Sequence, residues 1–408
     1  MSRGLRVIVV NTDEEVARDL RTVLLSIEGV RIVAEIDEPA MLAHALQQFA
    51  ADILLIHLDP NPNGMMDVVA PLIEAHKEQF AAIAMTEDRD AELVMRAMRS
   101  GMREFLWKPF PPDQIREILE RVGKELAPDR RQLGRMITVV GAAGGVGATQ
   151  VVTNVAAELA QLVECDDEAE EAVVRRRVAV VDLDFRFGQV AMHFDANPTY
   201  TIAELCDSPE QIDAQMIDRA MFKHPSGAHI LARPSELAQA EQISAGQCAG
   251  ALAALQEHYD FVVVDLPARL DATARAAYDT ADAYLLVAQL AVPTVRSTDR
   301  ILRELARNGY SGDRIRLVCN RYERDAGSLD LSDVESTLNR KFDFLLPDDW
   351  KTSAAAVNMG APLFDHAPKS KLRDAYRRIA LALAGENAAT NSTAAGDKKG
   401  LLSFLGAR

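Results

Sequence analysis

The sequence predicts an α/β protein built from two doubly wound domains, and three observations carry that prediction. Short apolar runs alternate with amphipathic stretches of helical spacing along the first 120 or so residues. A polar stretch containing Pro128 then interrupts the pattern, and beyond it the apolar run Met136–Val140 enters a glycine-rich turn, Gly141 to Gln150, that opens the apolar stretch Val151–Leu162.

Composition narrows the class. With 408 residues, 48% hydrophobic and 26% charged, the chain is long enough for two or three domains with real cores. A net charge of -16 opposes non-specific nucleic-acid binding, which needs Lys and Arg against phosphates, so no nucleic-acid partner is expected. The four cysteines, 165, 206, 248 and 319, show no metal spacing and read as buried thiols of a reducing cytoplasm. No signal peptide is expected, because Arg3 and Arg6 lead into an apolar run that stops at Asn11, and no run approaches the roughly 18 apolar residues of a membrane span.

In the first domain, residues 1–122, strands are expected at 5–10, 31–35, 52–58, 81–86 and 103–107. Val16, Leu20, Val23, Leu24 and Ile27 mark a helical face between the first two. Thr86 ending the fourth strand, Gly101 before the fifth and Lys108-Pro109 after it resemble the receiver domain of two-component response regulators, which implies a flavodoxin-like fold. Receiver chemistry needs a phosphoacceptor Asp ending the third strand and acidic residues after the first to hold Mg²⁺. Here His57 stands at the first position and Asn11-Thr12 at the second. Asp13 and Asp59 are each displaced, and two residues along a strand move a side chain about 6–7 Å. The expectation is a pseudo-receiver that keeps the fold, has lost phosphorylation and serves as a docking or dimerisation module.

Residues 123–135 read as the linker. In the second domain, 136–386, Gly144, Gly145 and Gly147 let successive backbone N–H groups face inward at a helix N-terminus, the geometry that cradles phosphate. Thr149 stands where a P-loop carries its Mg²⁺-binding hydroxyl, but Ala148 occupies the Lys position. Glu164–Glu171 followed by Arg175–Arg177 reads as a solvated loop or helix extension without chemistry. Val178–Asp184 is expected to be a strand ending in two carboxylates on one side, followed by Gly188, and Phe261–Val264 then Asp265 reads as a Walker B strand. Further strands are expected at 229–233, 283–289 and 315–320, with the ligand at the carboxyl ends of a parallel sheet.

With those residues in view, 136–385 resembles the MinD/ParA family of deviant Walker A ATPases. The resemblance implies ATP and Mg²⁺. Gly144, Gly145, Val146, Gly147, Ala148, Thr149 and Gln150 would cradle the phosphates, Thr149 would ligate the metal, and Asp182 and Asp265 would support its shell. Asp184 would position the attacking water in an active enzyme, Asn320 and Arg321 would lie on the adenine side, and Pro347-Asp348-Asp349 would form the loop beneath the base. The departures are Ala143 and Ala148, which replace both family lysines; losing a charged hydrogen bond costs about 1.5–3 kcal/mol, so binding is expected to be weak and hydrolysis weak or absent.

A receiver-like domain ahead of a MinD-like one resembles the CpaE/TadZ proteins of the tight-adherence (Flp) pilus. That resemblance implies a cytoplasmic homodimer, joined through the ATPase-like domain and placed at a cell pole, that partners the pilus secretion ATPase and inner-membrane platform. An active MinD-type ATPase positioning division machinery would want the two lysines, and a phosphorylation-driven signalling regulator would want the receiver aspartate. Residues 387–397 read as a disordered linker. In the terminal peptide, Leu401, Leu402, Phe404 and Leu405 share one helical face behind Lys398 and Lys399, which suits an anionic membrane surface or a partner protein.

Overall fold

The computed structural model describes residues 5–385 apart from 28, 50, 77–78, 109, 126–132, 166–172, 208–211, 311 and 324–328. The terminal linker and peptide, 387–408, lie outside the described residues, as does most of the expected interdomain linker.

The first domain is a parallel five-stranded sheet: β1 (Leu5–Val10), β2 (Val30–Ile36), β3 (Ile53–His57), β4 (Ala81–Thr86) and β5 (Met102–Trp107), in the order β2-β1-β3-β4-β5. Crossover helices cover both faces, so the strands read as continuous apolar runs; Ile53 to Ile56 are wholly buried. Asp13 starts the helix Glu14–Ser26 by accepting the N–H groups of Glu15 and Val16, so its carboxylate is spent on a cap. The last helix of the domain is Pro112–Glu125.

The second domain begins with β6 (Arg135–Gly141). The short strands β7 (Val163–Cys165) and β8 (Val173–Arg175) pair antiparallel on either side of the segregated charge run, where the sequence suggested a loop or helix extension. Then come β9 (Val178–Asp182), β10 (Phe222–Lys223), β11 (Ala228–Leu231), β12 (Phe261–Leu266), β13 (Ala283–Ala288), β14 (Ile315–Tyr322) and β15 (Phe344–Pro347). The sheet order is β10-β11-β9-β12-β6-β13-β14-β15, parallel except for the β10–β11 pair. The glycine-rich turn follows the central β6, and the Walker B strand β12 is its direct neighbour, so the site falls at the carboxyl ends of adjacent strands.

The two domains share one apolar cluster, in which Val7, Leu24 and Ile32 of the first join Tyr284, Tyr310 and Leu317 of the second. Arginines stitch its rim. Arg6 pairs with Glu257 at 2.8 Å and Arg31 with Asp282 at 2.9 Å, while Arg314 donates to the carbonyls of Ile27 and Val30. Arg21 pairs with Glu35 of its own domain, lies 3.5 Å from Asp279 across the seam and donates to the Asn308 carbonyl at 3.0 Å.

Candidate nucleotide site and the receiver cleft

β6 delivers Gly141 to the turn, which is anchored where the Ala142 N–H donates to the Val287 carbonyl at 2.8 Å. Gly145 and Gly147 have φ of 77° and 95°, a region that side chains rarely enter. Gly147 also has no room for one, since a Cβ there would come within 2.4 Å of Asn320 Nδ2. The helix Ala148–Leu159 starts at this point and aims its N-terminus at the loop. Thr149 Oγ1 donates to Asp265 Oδ2 at 2.6 Å, which joins the hydroxyl of the helix to the carboxylate of β12.

Asp182 ends β9, and Asp184 lies beyond the strand in a turn rather than on it, a correction to the sequence reading. The polypeptide folds back there: Asp184 N–H donates to Asp182 Oδ1, Val190 N–H donates to Asp182 Oδ2, and Gly188 approaches so closely that a Cβ would clash with that carboxylate. Asp184 Oδ1 accepts from the N–H groups of Arg186 and Phe187. Burial pushes Asp265 up to about 8 and Asp182 up to about 7, and the neighbouring carboxylates add to both shifts. No basic side chain occurs from Gly141 to Gln150 to counter this.

The other expected contacts divide. Asn320 braces the loop by donating to the Val146 carbonyl at 2.7 Å, with Gln289 donating to the same oxygen at 3.4 Å. Arg321 lies 5.9 Å from the Trp350 ring, and Asp349 caps the helix Trp350–Asn358, so Pro347, Asp348 and Trp350 border the same edge as Arg321. Gln150 is occupied by Ser353, whose hydroxyl donates to Gln150 Oε1 at 2.8 Å. Trp350 and Gln289 carried no sequence signal, because each acquires its place only when β13, β14 and β15 assemble beside β6.

The residues present fit Mg²⁺. Among the described residues no three His, Cys, Asp or Glu side chains converge on one ion. Mg²⁺ needs only one or two protein oxygens beside waters and phosphates, and Thr149 with Asp265 supplies that number.

In the receiver cleft, His57 is buried and its Nδ1 lies 2.7 Å from Asn11 Oδ1. Burial, then the Lys108 charge, hold its pKa below the ordinary value. Thr12 is exposed, and Lys108 pairs with Glu87 at 2.8 Å. Asp59, expected nearby but displaced from the acceptor position, accepts from Thr86 Oγ1 at 3.0 Å and from Glu87 N–H at 2.8 Å.

A response regulator receiver domain model matches residues 7–120, and an AAA domain model matches residues 134–307. The septum site-determining protein MinD of Thermotoga maritima is 24% identical over 283 residues, covering 67% of this chain and 96% of that protein. Among solved structures, a ParA family ATPase from Chlorobium tepidum aligns with a TM-score of 0.54 at 19% identity, covering 61% of this chain and 98% of that one. MinD of Pyrococcus horikoshii complexed with Mg-ADP aligns at 0.51 and 19% identity, covering 62% and 96%. At these identities the structural likeness speaks to fold.

Proposed function

We propose a function from the premise that this chain joins a response-regulator receiver domain to an ATPase domain of the MinD/ParA family. It is a dimeric scaffold that assembles and localises a Flp/Tad-type pilus secretion system, and its pocket binds ATP and Mg²⁺ weakly and hydrolyses little or none.

The observation that carries this reading is the combination of Ala143 and Ala148 at both lysine positions with an intact Thr149–Asp265 contact. Backbone amides, a metal-ready hydroxyl and a flanking edge at Arg321 and Trp350 support binding. Two missing charged hydrogen bonds, at about 1.5–3 kcal/mol each, remove what steadies the charge that develops on the transferring phosphoryl group.

The family lysine that Ala143 replaces would link two protomers through phosphate, so a dimer of this chain rests on packing. Phe187, Met192, Trp350 and Met359 are all more than half exposed, and the helices Val190–His193 and Trp350–Asn358 beside them pack together, which supports an apolar seam there. The receiver domain contributes a surface and not a phosphate switch, because Asn11 and His57 replace its acidic groups and Asp13 is committed to a cap.

Domain order supports CpaE/TadZ-like partners, the secretion ATPase and the inner-membrane platform, and a cytoplasmic, polar site of action. No helix among the described residues is long and apolar enough to cross a membrane, so attachment would fall to the terminal peptide.

Calorimetry with and without Mg²⁺, steady-state turnover and sedimentation test the reading together. The expected results are weak ATP binding, background hydrolysis and a dimer without nucleotide. The matches to MinD favour a second reading, an active ATPase that positions division machinery, and turnover of about 1 s⁻¹ or more would establish it over the first.

A further inference from the structure

We propose that the cleft at the carboxyl ends of β3 and β4 is a complete oxyanion-binding site that the protein fills with its own Asp59 carboxylate. The idea deepens the reading of a silent receiver by stating what silences it.

Thr86 Oγ1 accepts the Asp88 N–H at 3.0 Å, which directs its own proton to Asp59 Oδ1, also at 3.0 Å. The Glu87 N–H donates to Asp59 Oδ2 at 2.8 Å. His57 Nε2 lies 3.3 Å from the same oxygen; because Nδ1 faces the Asn11 amide oxygen, which only accepts, the neutral ring carries its proton on Nδ1, and Nε2 donates to Asp59 only when the ring is protonated. The Lys108 ammonium, tied to Glu87, adds positive charge and in turn feels the charge of Asp59. A hydroxyl and a backbone amide that donate one to each carboxylate oxygen, with the ammonium of Lys108 acting on the same charge, make a site for a carboxylate or phosphate oxyanion.

The carboxylate reaches that point because pairing continues past β3, where the Leu58 N–H donates to the Met85 carbonyl at 2.8 Å. The contacts then run onward. Asp88 accepts from Asp90 N–H, and Asp90 caps the helix Ala91–Arg99 through Glu92 N–H. Asp59 therefore fixes the start of the helix that exposes Met95 and Met98, which gives the domain one standing surface without any phosphate donor.

The test is chemical rescue of the full-length chain. Asp59→Ala removes a carboxylate of the size of formate. Its thermal midpoint should fall by about 4–8 °C, the loss of charge-assisted hydrogen bonds in a domain of this size. Its amides over 86–99 should exchange faster. Formate should reverse most of both effects where chloride at equal ionic strength does not, and Thr86→Ala in the same background should abolish the rescue. Wild type and Asp59→Asn, which keep the site filled, should ignore formate. If Asp59→Ala folds only in formate, that is the same result. An Asp59→Ala chain indifferent to formate, folded or not, overturns the self-filled site alone. Stable phosphorylation of the wild-type chain by acetyl phosphate overturns both that site and the silent receiver.

Discussion

Removing the Arg21 guanidinium should cost several kcal/mol, and the cost should depend on pH in a direction that the interdomain seam dictates. Arg21 has a side chain only 7% exposed, set between Glu35 and Asp279 and 5.6 Å from the Tyr310 ring. Tyr310 OH donates to Asp279 at 2.6 Å. Burial, then Glu35, push Asp279 up to about 7 despite the arginine. Arg21→Met keeps the apolar stem and leaves two enclosed carboxylates without their shared cation, a change of about 3–5 kcal/mol.

The folded pKa of Asp279 exceeds its ordinary 3.8, so its contribution to stability is fully present below about pH 4 and is lost as pH rises through 7. Without Arg21 the two carboxylates move higher still. The penalty should be nearly full at pH 8.5 and clearly smaller at pH 5, where a proton can replace the arginine. Urea unfolding at the two pH values measures it, followed through Trp107 in one domain and Trp350 in the other. At pH 8.5 the two reporters should separate in the variant. A loss below about 1 kcal/mol at pH 8.5, or an equal loss at both pH values, would refute the account of the seam.

Ala148→Lys should tighten ATP binding by about 10- to 150-fold in calorimetry, the worth of one charged hydrogen bond, and an unchanged affinity would mean that the loop does not hold phosphate. Asp182 and Asp265, raised to about 7 and about 8, contribute stability that is present below about pH 4 and fades as pH rises through those values, so the ligand-free protein should lose stability between pH 5 and 9. Asp265→Asn should flatten that profile, and a profile as steep as wild type would argue against it. Ending the chain at Asp397 should abolish co-sedimentation with anionic liposomes; equal pelleting of both forms would remove the terminal peptide from the account.

Much of the architecture was legible because a parallel strand buried on both faces is a short apolar run that needs no context to be seen. The strands expected at 5–10, 81–86 and 283–289 agree with β1, β4 and β13 to within a residue. β10 and β15 escaped because strands of two and four residues lack a period long enough to read, and their pairing is decided by β11 and β14. Asp184 was placed on a strand because alternation was extrapolated past Asp182, whose carboxylate bends the backbone by accepting the N–H groups of Asp184 and Val190. Gln150 read as a loop residue, yet its amide is taken by Ser353, 203 residues away.

By itself the sequence determined the two α/β domains, the glycine turn without lysines, and a His rather than an Asp at position 57, since residue type and spacing carry each of these. Only the tertiary structure decided where the charges went. Asp59 returns to Thr86 and Glu87 because β3 and β4 are neighbours. Arg6, Arg21 and Arg31 face Glu257, Asp279 and Asp282 because the first domain docks on the second. Asp182 and Asp265 have pKa values raised to about 7 and about 8 because β9 and β12 bury them side by side. The physical reason is common to all three: a carboxylate's partner and ionisation depend on which groups lie within a few ångströms and how much water remains, and neither quantity is set until segments distant in sequence have packed.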